Sequence, residues 1–185
     1  MAAVSKTPGW LEDGEIPDAF WDRVGSAGPG DEGATAWLSV ATASEIVEYQ
    51  LAFELAAEEL ADYSDGPCVD AFVFSEDDTE DLCLWIVAQG RQAWQSVRAG
   101  RESLAQAARR YLARRLDAES ETWTVAGTSA YSIFHDRFGE SLSDRMREVL
   151  EHFGAAHAGT VAHVQASVCG RGQEEASSES IQNAL

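Results

Sequence analysis

Seven consecutive residues, Ser75 to Asp81, carry five carboxylates: Glu76, Asp77, Asp78, Glu80 and Asp81. Carboxylates this dense suit three tasks: holding a hard cation, opening a helix, or facing a cationic partner. A calcium or magnesium site needs several oxygens converging on one point. The EF-hand pattern is absent, since no Gly stands at the sharp turn and no Glu closes the loop. The run is therefore read as a helix N-terminus favoured by the macrodipole and as a binding surface for a basic partner. A second candidate group mixes its acids with the residues that follow. Asp77, Asp78, Gln89 and Arg91 would make a carboxylate/arginine site if the fold gathered them around one cleft, with a carboxylate as general base.

Other constellations are incomplete. His135, His152, His157 and His163 are the four histidines. The steps of five and six residues between the last three turn by about 140° and 240° on a helix, so they do not share a face, and no metal is expected. Ser, His and Asp are all present, but there is no Gly-x-Ser-x-Gly elbow; Gly127-Thr128-Ser129-Ala130-Tyr131 is the nearest approach. The glycines around Gly28-Pro29-Gly30 lack a P-loop Lys and follow a helix rather than a strand, so no nucleotide or other cofactor is expected. Cys68, Cys83 and Cys169 are odd in number and form no Cys-x-x-Cys pair, the usage of reduced thiols in a cytoplasmic protein.

The elements that would position these residues read as helices. Pro17 suits a first helical turn and Asp18 and Asp22 its N-terminus, with Phe20, Trp21 and Val24 on the apolar side. A short helix through Ala36, Trp37, Leu38 and Val40 follows. Thr42 stands three residues before Glu45, a capping box, and Ile46 to Leu60 recur at three- and four-residue steps, predicting a long helix over 43–63. Val69 to Phe74 is a short apolar run whose periodicity allows strand, helical turn or connector. Leu82 to Ala88 continues in pattern through Trp94 and Val97, predicting one helix to Gly100. Residues 101–116 form another, with Leu104, Ala108, Tyr111 and Leu112 on one side. Residues 117–135 read as an ordered loop or short helices. Ser141 or Ser143 caps a last helix through Met146, Val149, Leu150 and Phe153. Among the tryptophans, Trp21, Trp37 and Trp85 read as packing, and one of Trp10 and Trp123 as lining a pocket or interface.

The fold class is accordingly all-α: a single helical domain of about six helices. Residues 1–16 are expected to be a flexible leader, 17–117 the helical core domain, 118–169 a helical extension packed on it, and 170–185 a disordered tail. Across 185 residues, 13 Lys+Arg face 32 Asp+Glu, a net charge of -19. Residues 1–90 hold 20 acids and 2 bases, whereas 91–116 hold 7 arginines and one acid, Glu102. The arginine segment is expected to pair internally with acidic helices. The net charge argues against free nucleic acid or an anionic membrane as partner, and no stretch approaches the ~20 apolar residues of a membrane span.

Two blocks carry a family resemblance. Phe20-Trp21 opens an early helix, Ser44 to Leu60 is followed by the acidic run, and Leu84-Trp85-Ile86-Val87-Ala88-Gln89-Gly90-Arg91 closes the pattern. Residues 18–117 together resemble the bacterial domain-of-unknown-function family numbered 4240. The chain departs from it at Phe74-Ser75-Glu76, where the family has a Gly-Gly-Cys-type turn, and at Cys83, where it often has Arg. The resemblance implies a mainly helical domain, common in actinobacteria, with no established activity. The expected function is that of an acidic cytoplasmic binding or regulatory protein, antitoxin- or immunity-like, acting on a basic protein partner. The alternatives are an enzyme of a bacterial biosynthetic pathway using residues 77–91, and a DNA mimic.

Overall fold

A computed structural model describes residues 8–27, 31–117 and 127–156. These residues form helices α1 (Trp10–Asp13), α2 (Asp18–Ala27), α3 (Asp31–Leu38) and α4 (Ala43–Glu58), then a hairpin of β1 (Cys68–Val69) and β2 (Phe72–Val73). Helices α5 (Glu76–Ala88), α6 (Arg91–Arg98), α7 (Leu104–Asp117), α8 (Ser129–Phe138) and α9 (Leu142–Ala156) follow. The class is all-α, as the apolar periodicities require.

Helix α4 starts at the capping box read from sequence. The Thr42 side chain accepts from the Glu45 N–H, and Glu45 Oε2 accepts from the Thr42 N–H at 2.8 Å. Nine of its residues are buried, from Ile46 to Ala57, on more than one face. Helix α5 is likewise enclosed, which explains the nearly unbroken apolar run Leu82–Ala88. It divides two clusters. Cys83, Leu84 and Val87 face one built on Phe20, Trp21, Phe53, Phe134 and Met146. Leu82 and Ile86 face the other, with Phe74, Val97, Ala107, Ala108 and Tyr111. Helices α8 and α9 thus complete the same core as α2 and α4.

Three expectations change. The helix expected to run to Gly100 is two: α5 ends at Ala88, and α6 begins at Arg91 after Gly90, whose φ of 94° lies where only glycine is comfortable. Arg91 therefore opens α6 rather than sitting in the last turns of α5. Helix α4 stops at Glu58 rather than 63. Residues 8–16, within the expected leader, hold α1, and Trp10, Leu11 and Ile16 pack on the core. Ser141 rather than Ser143 caps α9, accepting from the Asp144 N–H at 3.3 Å. The expected tail, Trp123, His157, His163 and Cys169 lie outside the described residues.

The Val69–Phe74 run is a hairpin. Val69 pairs with Phe72 across a two-residue turn, and Asp70 takes a φ of 52°. Asp tolerates this left-handed conformation better than most residues. The hairpin delivers Phe74 to the second cluster and leaves Phe72 and Val73 outside it.

Candidate functional site

The first turn of α5 is set by a capping box. Ser75 Oγ donates to Asp78 Oδ2 at 2.7 Å, the Ser75 N–H donates to the same oxygen at 3.2 Å, and Ser75 Oγ accepts from the Asp78 N–H at 3.1 Å. The carboxylate of Asp78 is thus committed to holding the helix end. Glu76 and Asp77 are exposed, and Glu80 and Asp81 are half-buried. Burial, then the neighbouring Asp78, raises the Asp81 carboxyl above its ordinary range; Arg115 opposes this, and Asp77 adds to it. Among the described residues, no group of three His, Cys, Asp or Glu stands in a metal-holding arrangement.

Beside this acidic turn stands an apolar pair. Val40, Phe72 and Val73 are the exposed large hydrophobics of the described residues, with Val73 69% and Phe72 43% exposed. Phe72 meets the buried Phe74 edge-on, ring centroids 5.0 Å apart, which holds its ring at the surface. Phe72 and Glu76 stand four positions apart, so at most about 14 Å of chain lies between them. Exposed apolar side chains next to exposed carboxylates are the composition of an interface centre with an acidic rim.

The proposed carboxylate/arginine site is not assembled. Asp77 and Asp78 lie in the first turn of α5, whereas Gln89 and Arg91 lie beyond its last. Twelve residues of helix put Asp77 and Gln89 about 18 Å apart. Gln89 is the C-cap of α5, its Nε2 donating to the Trp85 carbonyl at 3.3 Å. Arg91 reaches the other way: its Nη1 meets Asp18 Oδ1 at 2.5 Å. This pair edges an open cleft of about 560 Å³ lined by Trp10, Glu15, Ile16, Pro17, Asp18 and Arg91. Trp10 is thus a cleft residue, one of the two tryptophans from which sequence expected that role.

Several arginines pair internally, as the charge map suggested. Arg98 meets Glu59 at 2.7 Å and Arg110 meets Glu102 at 2.7 Å. Arg98 also lies over Trp94 and Arg110 over Trp85, at 4.8 and 5.6 Å from the ring centroids. His135 and His152 are exposed and stand on different helices. Cys83 is fully buried and its thiol is pushed up to about 12, mainly by burial and then by Glu80. It is therefore a packing residue rather than a nucleophile.

Fold and surface together describe a small acidic helical protein with a mixed apolar and acidic patch at one end of its central helix and an open charged cleft at the other. No family model, curated protein or solved structure matches the chain. No helix of the described residues is long and apolar enough to cross a membrane.

Proposed function

We propose that this chain is a binding module that holds a basic protein partner at the N-terminal end of α5. The observation that carries the reading is the exposed pair Phe72 and Val73 beside the exposed carboxylates Glu76 and Asp77. A matching partner presents an apolar socket ringed by Lys or Arg. Apolar contact then supplies affinity at the centre, and charge supplies steering and salt sensitivity. The net charge of -19 favours the same class of partner. A cytoplasmic, antitoxin-, immunity- or regulator-like role in a bacterium belongs to the same proposal, as does kinship with family 4240.

The experiment is a tagged copy recovered from its native host at low salt, beside a Phe72→Ser variant and an E76Q/D77N variant. The reading expects one stoichiometric basic protein with the wild type and its loss from both variants. Recovery of the same protein by all three would place the interface elsewhere.

A further inference from the structure

The cleft at the other end of α5 has a chemistry of its own, and the inference drawn from it is independent of the acidic patch. It is assembled from three places in the chain. Helix α1 supplies Trp10 and closes at Gly14, whose left-handed φ of 66° lets its N–H return to the Trp10 carbonyl at 3.1 Å. That turn delivers Glu15 and Ile16 to the rim. Pro17 and Asp18 begin α2, and Arg91, the first residue of α6, comes from 73 residues further on. Its placement depends on the break at Gly90, because a continued α5 would carry position 91 around the helix to another direction.

The lining decides between classes of ligand. Glu15 and Asp18 oppose an anion. A simple cation is opposed by Arg91, which stands at the rim paired with Asp18, and makes no use of the guanidinium N–H groups that the pair leaves open. A molecule with both an ammonium and a carboxylate matches both sides: the ammonium against Glu15, Asp18 and the Trp10 indole, the carboxylate against Arg91. The Arg91 and Asp18 side chains are 47% and 79% exposed, so their mutual ion pair leaves donors and acceptors on each open to a ligand. Arg91 retains further N–H donors after giving one to Asp18. Trp10, Ile16 and Pro17 contribute the minor apolar part of a mostly polar lining, which suits a ligand whose body is small. The volume of about 560 Å³ exceeds one side chain and falls within the range of small-molecule sites. We propose that the Trp10–Glu15–Asp18–Arg91 cleft binds a small zwitterion of the free amino-acid type.

The test uses the full chain and three probes of one skeleton: leucine, isopentylamine, which lacks the carboxylate, and 4-methylpentanoate, which lacks the ammonium. Binding is followed by calorimetry and by the indole N–H resonance of Trp10, assigned with a Trp10→Phe variant. The proposal expects leucine to bind roughly two- to fivefold more tightly than either analogue, because water screens a charge contact made by side chains this exposed. Arg91→Gln should bring leucine down to the level of the amine and leave the amine no weaker. Glu15→Gln, at an exposed position that holds no element in place, should weaken leucine and amine together. Equal binding of leucine and isopentylamine would overturn the proposal in favour of a simple cation site. No movement of the Trp10 resonance with any probe at millimolar concentration would overturn it outright.

Discussion

Replacing Trp94 by Phe tests how the two ends of the core are joined. Trp94 is 5% exposed, and its Nε1 donates to the Ala56 carbonyl at 2.7 Å. Ala56 is in the last turn of α4, where carbonyls lose their helical partners. The next donor along, the Leu60 N–H, turns to Ala57 instead, at 3.0 Å. The indole of α6 thus satisfies a buried acceptor at the end of α4. Leaving that carbonyl bare costs about 1–3 kcal/mol. The smaller ring forfeits roughly another 1–2 kcal/mol of packing, chiefly against Trp21. The expected loss is therefore about 2–5 kcal/mol, which at a urea slope near 3 kcal/mol/M moves the midpoint down by roughly 0.7–1.7 M. Trp21→Phe is the control. Trp21 is as deeply buried and packs on the same ring, yet its indole bonds to no described residue, so it should lose the packing component alone. Urea melts followed by far-ultraviolet circular dichroism decide the matter. A Trp94→Phe midpoint no lower than that of Trp21→Phe would refute the hydrogen-bond argument.

Asp81 gives a pH signature. Burial and Asp78 raise its carboxyl in the folded state, so above the ordinary carboxylate range the folded protein carries a charge it holds poorly. The native state binds more protons in that window, and this group's contribution to stability falls as pH rises through it. Asp81→Asn should raise the urea midpoint at neutral pH, with the gain shrinking as pH falls toward the unfolded carboxylate value; a constant gain at all pH values would contradict this. Cys83 should resist alkylation in the native protein while Cys68, which is exposed, reacts, as read by peptide mass spectrometry. Labelling of both at similar rates would show the core to be more open than described. Gly90→Ala should destabilise by about 1–2 kcal/mol through its positive φ alone, since no atom crowds an added Cβ there. Gly25→Ala, inside α2 and equally uncrowded, should stabilise by about 0.4–1 kcal/mol. The same sign for both in urea melts would exclude the backbone explanation.

Local signals were legible wherever one turn of chain determines the outcome. Thr42 and Glu45 mark the start of α4 because both partners of the cap lie within three residues. The same box at Ser75 and Asp78 lies inside a run with five carboxylates, where the density of charge gives a helix N-terminus but does not single out which acid closes the cap. The break between α5 and α6 was hidden because Trp94 and Val97 continue the apolar spacing; Gly90 was the available signal. Helix α8 left a readable trace in Ala130, Phe134 and Phe138, four apart, followed by Gly139 with a φ of 69° at the cap. The hairpin strands, of two residues each, are too short for any alternation to register. The cleft was out of reach for a different reason. Asp18 and Arg91 carry no pattern that links them, and only the packing of α2 against the core beneath α6 brings them together. Sequence could name Arg91 as a candidate but not its neighbours, and it grouped Arg91 with carboxylates that the length of α5 holds apart.

The central claim is that Phe72, Val73, Glu76 and Asp77 form one contact surface for a basic partner. Its most direct measurement is the affinity of the recovered partner for wild type, Phe72→Ser and E76Q/D77N over a range of salt. The account predicts that wild-type affinity falls with salt, that E76Q/D77N flattens this dependence by slowing association, and that Phe72→Ser weakens binding at every salt concentration without changing the slope. Identical salt slopes for wild type and E76Q/D77N, with full affinity retained by Phe72→Ser, would contradict it.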